Sequence, residues 1–117
     1  VLHKKAALAG TPLENLDYPM LETKDDFVIH GFTYANYLAE LGPKAQSEIY
    51  AKSSVDGAMR DAFRKMRQFL MSAKGLTEDE AISLMSIGVD FGVTQVVDGN
   101  FGVHAIIRKD IFSGGDA

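Results

Sequence analysis

The chain predicts an α+β fold, a two-helix hairpin and a shorter helix packed on a small, mainly antiparallel sheet. Three observations carry this reading. From Ser54 to Lys74 apolar residues recur at three- and four-residue spacing. After Thr77-Glu78-Asp79-Glu80 a second apolar helical pattern runs to about Val89. Beyond it the patterning turns strand-like, with the β-branched runs Val93 to Val97 and Val103 to Ile107 parted by Asp98-Gly99-Asn100-Phe101-Gly102, where Asp-Gly signals a hairpin turn.

In chain order, residues 1–26 read as an N-terminal strand or an irregular connecting segment, because Gly10, Pro12, Asn15, Asp17 and Pro19 punctuate it closely. The alternative is a tail that leans on another part of a larger protein. Phe27-Val28-Ile29-His30 is a short β-prone run ended by Gly31. Tyr34, Tyr37, Leu38 and Leu41 mark a short helix stopped by Gly42-Pro43, and Pro43 can open a further helical segment through Ala45 to Lys52.

The long helix takes Ser54 as N-cap and Gly75 as the residue past its end. Val55, Met59, Ala62, Phe63, Met66, Phe69, Leu70 and Ala73 line its apolar face. Asp56 precedes Arg60 and Asp61 precedes Lys65 by four positions, the favourable order for surface ion pairs. Thr77 and Glu80 form a capping box for the next helix. That helix is so apolar (Ile82, Leu84, Met85, Ile87, Val89) that it is expected to be mostly buried, between the long helix and the sheet. A competing reading extends it through Phe91 to Val97. The domain proper is then 27–112, with 113–117 a frayed tail.

A length of 117 residues fits one domain, and 46% hydrophobic residues support a core that needs no disulfide or structural metal. With no cysteine there is no disulfide framework, thiolate zinc site or cysteine nucleophile, so a reducing, cytoplasmic setting is expected. The net charge of −4 disfavours nucleic acid as a partner. No apolar run reaches the ~20 residues of a membrane helix, and Val1 to Gly10 is too short and weakly apolar for a signal peptide.

His3, His30 and His104 sit in separate segments with no metal-ligand spacing. His104 shares a strand face with Ile106, and it is either a histidine satisfied by a local hydrogen bond or a site residue. Gln95, Asp98 and Asn100 bring two amides and a carboxylate into one turn. Turn chemistry explains them, with Gly99 supplying a positive φ, and so does a pocket into which Asp98 or Gln95 projects toward an amide. Arg60, Arg64 and Arg67 form either a salt-bridged face or an anion site. Ser54 is accounted for by capping, since no nucleophile elbow surrounds it, and no phosphate-binding glycine loop is present.

The run DFGVTQVVDGNFGVHAIIRKDIF, with the preceding KSSVDGAMRDAFRKMRQFLMSAKGLTEDEAISLMS, resembles the C-terminal part of the acetamidase/formamidase family. The resemblance implies a fragment of a larger β-rich hydrolase that splits short linear amides into carboxylate and ammonia. It implies that the principal catalytic motifs, and a divalent metal if one is used, belong mainly to an upstream portion. Gln95, Asp98 and His104 are then the positions expected to serve or support a site. The implied partners are a small amide substrate and the upstream portion or a companion chain, with self-association into a homo-oligomer. Nucleic acid and membrane are not expected partners.

Overall fold

In the computed structural model, residues 4–14 and 18–112 are described. His3, Asn15, Asp17 and the expected tail at 113–117 lie outside the described residues. The strands are β1 (Met20–Glu22), β2 (Asp26–Phe32), β3 (Val89–Gln95) and β4 (Gly102–Arg108); the helices are α1 (Tyr37–Leu41), α2 (Ala45–Lys52), α3 (Val55–Lys74) and α4 (Glu78–Gly88). All strand pairs are antiparallel, in the order β1-β2-β4-β3. The fold is thus α+β, as the patterning predicts. No helix among the described residues is long and apolar enough to cross a membrane.

Helix α3 organises the domain. Ser54 Oγ accepts from Gly57 N at 2.7 Å and Gly75 closes the helix in the left-handed region at φ 68. Its apolar stripe, Ala58, Ala62, Met66, Phe69 and Leu70, is buried against β2 and β4, where Ile29, Val103, Ala105 and Ile107 are fully enclosed. Each fully buried large side chain in that layer contributes about 1.5–3 kcal/mol.

Contrary to the sequence reading, β2 does not end at Gly31. It continues to Phe32, and Gly31 lies beneath α3: a Cβ there would sit 2.3 Å from Ala62 N and 2.6 Å from Ala58 O. Glycine and two alanines let the helix approach the strand closely. Strand β1 is short, so its ladder stops at the Met20–Ile29 pair. Helix α3 supplies partners beyond that point, since Asp61 Oδ2 accepts from Phe32 N at 2.9 Å and Lys65 Nζ donates to His30 O at 3.4 Å. Asp61 and Lys65 also pair with each other at 2.8 Å.

The Thr77 capping box forms in both directions, with Glu80 N to Thr77 Oγ1 at 3.2 Å and Thr77 N to Glu80 Oε1 at 2.9 Å. Those hydrogen bonds to the Thr77 backbone and side chain hold the Glu80 carboxyl below its usual pKa. Helix α4 is not mostly buried, however. Only Ala81 and Met85 are enclosed and Ile87 is 88% exposed, because α4 flanks α3 and β3 with one narrow stripe instead of lying between layers. It ends at Gly88, and Val89 is already extended, so β3 begins before Val93 and Val96 and Val97 fall outside it. The alternative helix through Phe91 to Val97 does not form.

Candidate functional site

The two faces of the sheet differ in what they carry. Opposite the α3 layer, Val28, His30, His104 and Ile106 are half-buried and Leu21 is 55% exposed. The β2–β4 register sets His30 directly across from His104 at the centre of this open face. Directly opposed side chains on neighbouring strands have Cβ atoms about 4.5–5.5 Å apart.

His104 is fixed by β3. Its Nδ1 lies 2.8 Å from Thr94 Oγ1, and its ring covers Gly92, where a Cβ would stand 2.7 Å from Nε2. Gly92 therefore makes room for the imidazole, and Thr94 sets its tautomer: a hydroxyl that donates to Nδ1 leaves the proton on Nε2, and one that accepts leaves Nε2 with its lone pair. His30 is different. Its Nδ1 is buried with no hydrogen-bond partner. Burial first, then the neighbouring His104 and Lys65, hold it below the usual histidine pKa.

Gln95 and Asp98 meet in the β3–β4 connection. Gln95 Nε2 donates to Asp98 Oδ1 at 2.8 Å and to the Asn100 carbonyl, while Gln95 Oε1 accepts from Val97 N at 3.1 Å and Asp98 N at 3.3 Å. Asn100 clamps the Tyr34 backbone, Oδ1 accepting from Tyr34 N at 2.9 Å and Nδ2 donating to Tyr34 O at 3.0 Å. The connection is thus a braced loop with a bulge between Val93 and Gln95. Gly99 does not take the positive φ expected of it: among the described residues only Gly10, Gly42 and Gly75 do. It is required for space, since a Cβ would lie 2.6 Å from Ile49 Cγ1.

Of the three residues expected from sequence, Gln95 and Asp98 therefore stand together in the loop, and His104 is held separately by Thr94. Sequence reasoning missed the opposition of His30 to His104; its only trace was a histidine in each of two β-prone runs. Among the described residues no three His, Asp or Glu side chains gather as a metal-binding group. The histidine pair offers two nitrogens at most, so these residues alone do not fit a metal centre. The arginines fit a salt-bridged face, with Arg60 to Asp56 at 3.3 Å and Arg64 to Asp61 at 3.9 Å, while Arg67 lies over the Phe63 ring.

The helix-backed antiparallel sheet matches a portion of two solved acetamidase structures in fold. It is similar to an acetamidase from Yersinia enterocolitica, with a TM-score of 0.62 and 18% identity over 83% of this chain and 24% of that one. An acetamidase from Bacillus halodurans superposes with a TM-score of 0.59 and 22% identity, over 80% of this chain and 25% of that one. The chain spans about a quarter of the length of these acetamidases, and the likeness is one of fold. No protein-family model matches the chain, and no curated protein matches it by sequence.

Proposed function

We propose that this chain is the C-terminal portion of a hydrolase of short linear amides, converting formamide or acetamide and water to carboxylate and ammonia, and inactive without the upstream portion. The observation that carries the reading is the fold likeness to two acetamidases, which takes up most of this chain and a quarter of theirs. The open sheet face supports it. Leu21, 55% exposed beside the half-buried Val28 and Ile106, gives that face an apolar surface that a companion polypeptide would cover.

Hydrolysis of an unactivated amide needs an activated water, donors for the developing oxyanion and an acid for the leaving nitrogen. In this reading His104, oriented by Thr94 and Gly92, lies nearest that chemistry, with Gln95 and Asp98 as supporting groups; the remaining groups, and a divalent metal if one is used, come from upstream. The setting is the reducing cytoplasm, in keeping with the absence of cysteine.

Ammonia release from formamide and acetamide, by this chain alone and with the upstream portion supplied, each with and without a chelator, tests the proposal. Activity on reassembly only is the expected result. A folded, reassembled complex that releases none would transfer the reading to a non-enzymatic interaction or oligomerisation domain. The exposure of Ile87 (88%) and Val97 (86%) favours that second reading.

A further inference from the structure

The two edges of the sheet are not alike. Strand β1 has three residues and carries the Glu22–Lys109 ion pair at 2.7 Å, whereas β3 has seven and, among the described residues, pairs only with β4. Open edges are ordinarily blunted by lysine, proline or a bulge. Strand β3 holds no lysine or proline, its bulge is confined to the end between Val93 and Gln95, and its one charge is Asp90. Val93 is exposed on this strand, and exposed Ile87, Val96 and Val97 flank it in the chain. Opposed to Ala105 and Val103, Phe91 and Val93 share the α3 side of the sheet. Asp90 and Gly92, opposed to Ile106 and His104, share the open face, and Thr94 joins them through its hydrogen bond to His104.

We infer that β3 is the docking edge for a second copy of this chain, in an antiparallel pairing about a two-fold axis at Gly92 that brings the partner's Asp90 to the Thr94–His104 pair. In this register Phe91 stands across from the partner's Val93 and Thr94 across from the partner's Asp90, and each pair occurs twice by symmetry. An aromatic ring beside a β-branched side chain is a favourable cross-strand pair. A register centred on Asp90 would set two carboxylates face to face, and one centred on Phe91 would leave Asp90 opposite glycine. Opposed residues point to the same side of an antiparallel sheet, so both α3 layers fall on one side and the four-stranded sheets join edge to edge. Glycine at the axis leaves space for the His104 rings that cover it. The Thr94 hydroxyl lies 2.8 Å from His104 Nδ1. With the partner's Asp90 carboxylate accepting the hydroxyl proton, Thr94 accepts from Nδ1–H and the lone pair is left on Nε2. Self-association thus fixes the tautomer of His104, and the pairing does not rest on the amide-hydrolase reading.

Sedimentation equilibrium of the full chain should give twice its mass of 12.7 kDa. Val93→Lys, at an exposed position, should weaken self-association about tenfold by removing the two pairs of Phe91 with Val93, with the melting curve of the dilute chain unchanged. Because the chain has no cysteine, introduced thiols report the register. An equimolar mixture of Asp90→Cys and Thr94→Cys chains should crosslink on mild oxidation, and neither variant should do so alone. Opposed Cα atoms stand about 4.5–5.5 Å apart, within disulfide reach. In Asp90→Ala the Nδ1–H tautomer, read from the ¹⁵N shifts of the His104 ring, should give way to a mixture. A monomer at every concentration, a dimer indifferent to Val93→Lys, or crosslinking of either cysteine variant by itself would each overturn the pairing. So would an assembly with the upstream portion that holds one copy of each, which would assign the edge to that portion. A tautomer unchanged in Asp90→Ala would overturn the contact with His104.

Discussion

The two faces of the sheet, built from alternate residues of the same strands, are put to different uses. Under α3, Ile29, Val103, Ala105 and Ile107 are enclosed with Met66, Phe69 and Leu70, and Gly31 lets the helix backbone come close. On the other side, Val28, His30, His104 and Ile106 stay half-exposed. The difference teaches where stability and chemistry reside. Close packing fixes the first face, whereas the second keeps polar groups and an unpartnered nitrogen that an interior without a ligand or partner would not tolerate cheaply.

Adjacent isoleucines on β4 give the sharpest test. Ile107→Ala should cost about 4 kcal/mol in urea unfolding and Ile106→Ala about 1 kcal/mol, because only the first opens a cavity in a closed layer. Equal losses would mean that the open face is packed as tightly as the covered one. Gly31→Ala should cost about 3 kcal/mol, since its Cβ would meet helix backbone and not the end of a flexible side chain; a variant as stable as the parent would show that α3 can lift off β2 freely. Thr77→Ala, which removes a cap remote from both faces, should lower stability by about 1 kcal/mol and leave the contrast between them intact.

The smallest effect is a pH dependence confined to the open face. His30 has its pKa depressed on folding, so it remains neutral in the folded chain where the unfolded chain takes up a proton. Its contribution to stability is therefore present above the unfolded value of about 6.5 and lost as pH falls from there through the folded value. His30→Val should flatten that part of the stability profile measured by thermal melts. It should also raise acid stability by removing a buried unpartnered nitrogen. An unchanged profile would move the acid sensitivity to other groups.

Helices were more legible than strands. Both ends of α3 and the start of α4 agree with sequence expectation, because Ser54, Gly75, Thr77 and Glu80 act through hydrogen bonds or backbone angles within a few residues. The limits of β2 and β3 were misplaced. Gly31 looks like a terminator until Ala58 and Ala62 are seen above it, and Val89 fits a helix or a strand equally well until it pairs with Ile107. In the candidate site, Gln95 and Asp98 were readable as neighbours in one turn, and the loop indeed joins them. The His30–His104 opposition was not.

Local order in the chain was enough to establish the element types, the caps, the apolar stripe of α3 and the absence of thiol chemistry, since each depends on composition or on contacts between near neighbours. Strand order, register and the division of the sheet into a packed and an open face came from contacts between segments far apart in sequence. A strand's side chains alternate, so nothing local says which partner faces His104; the pairing of β2 with β4 does.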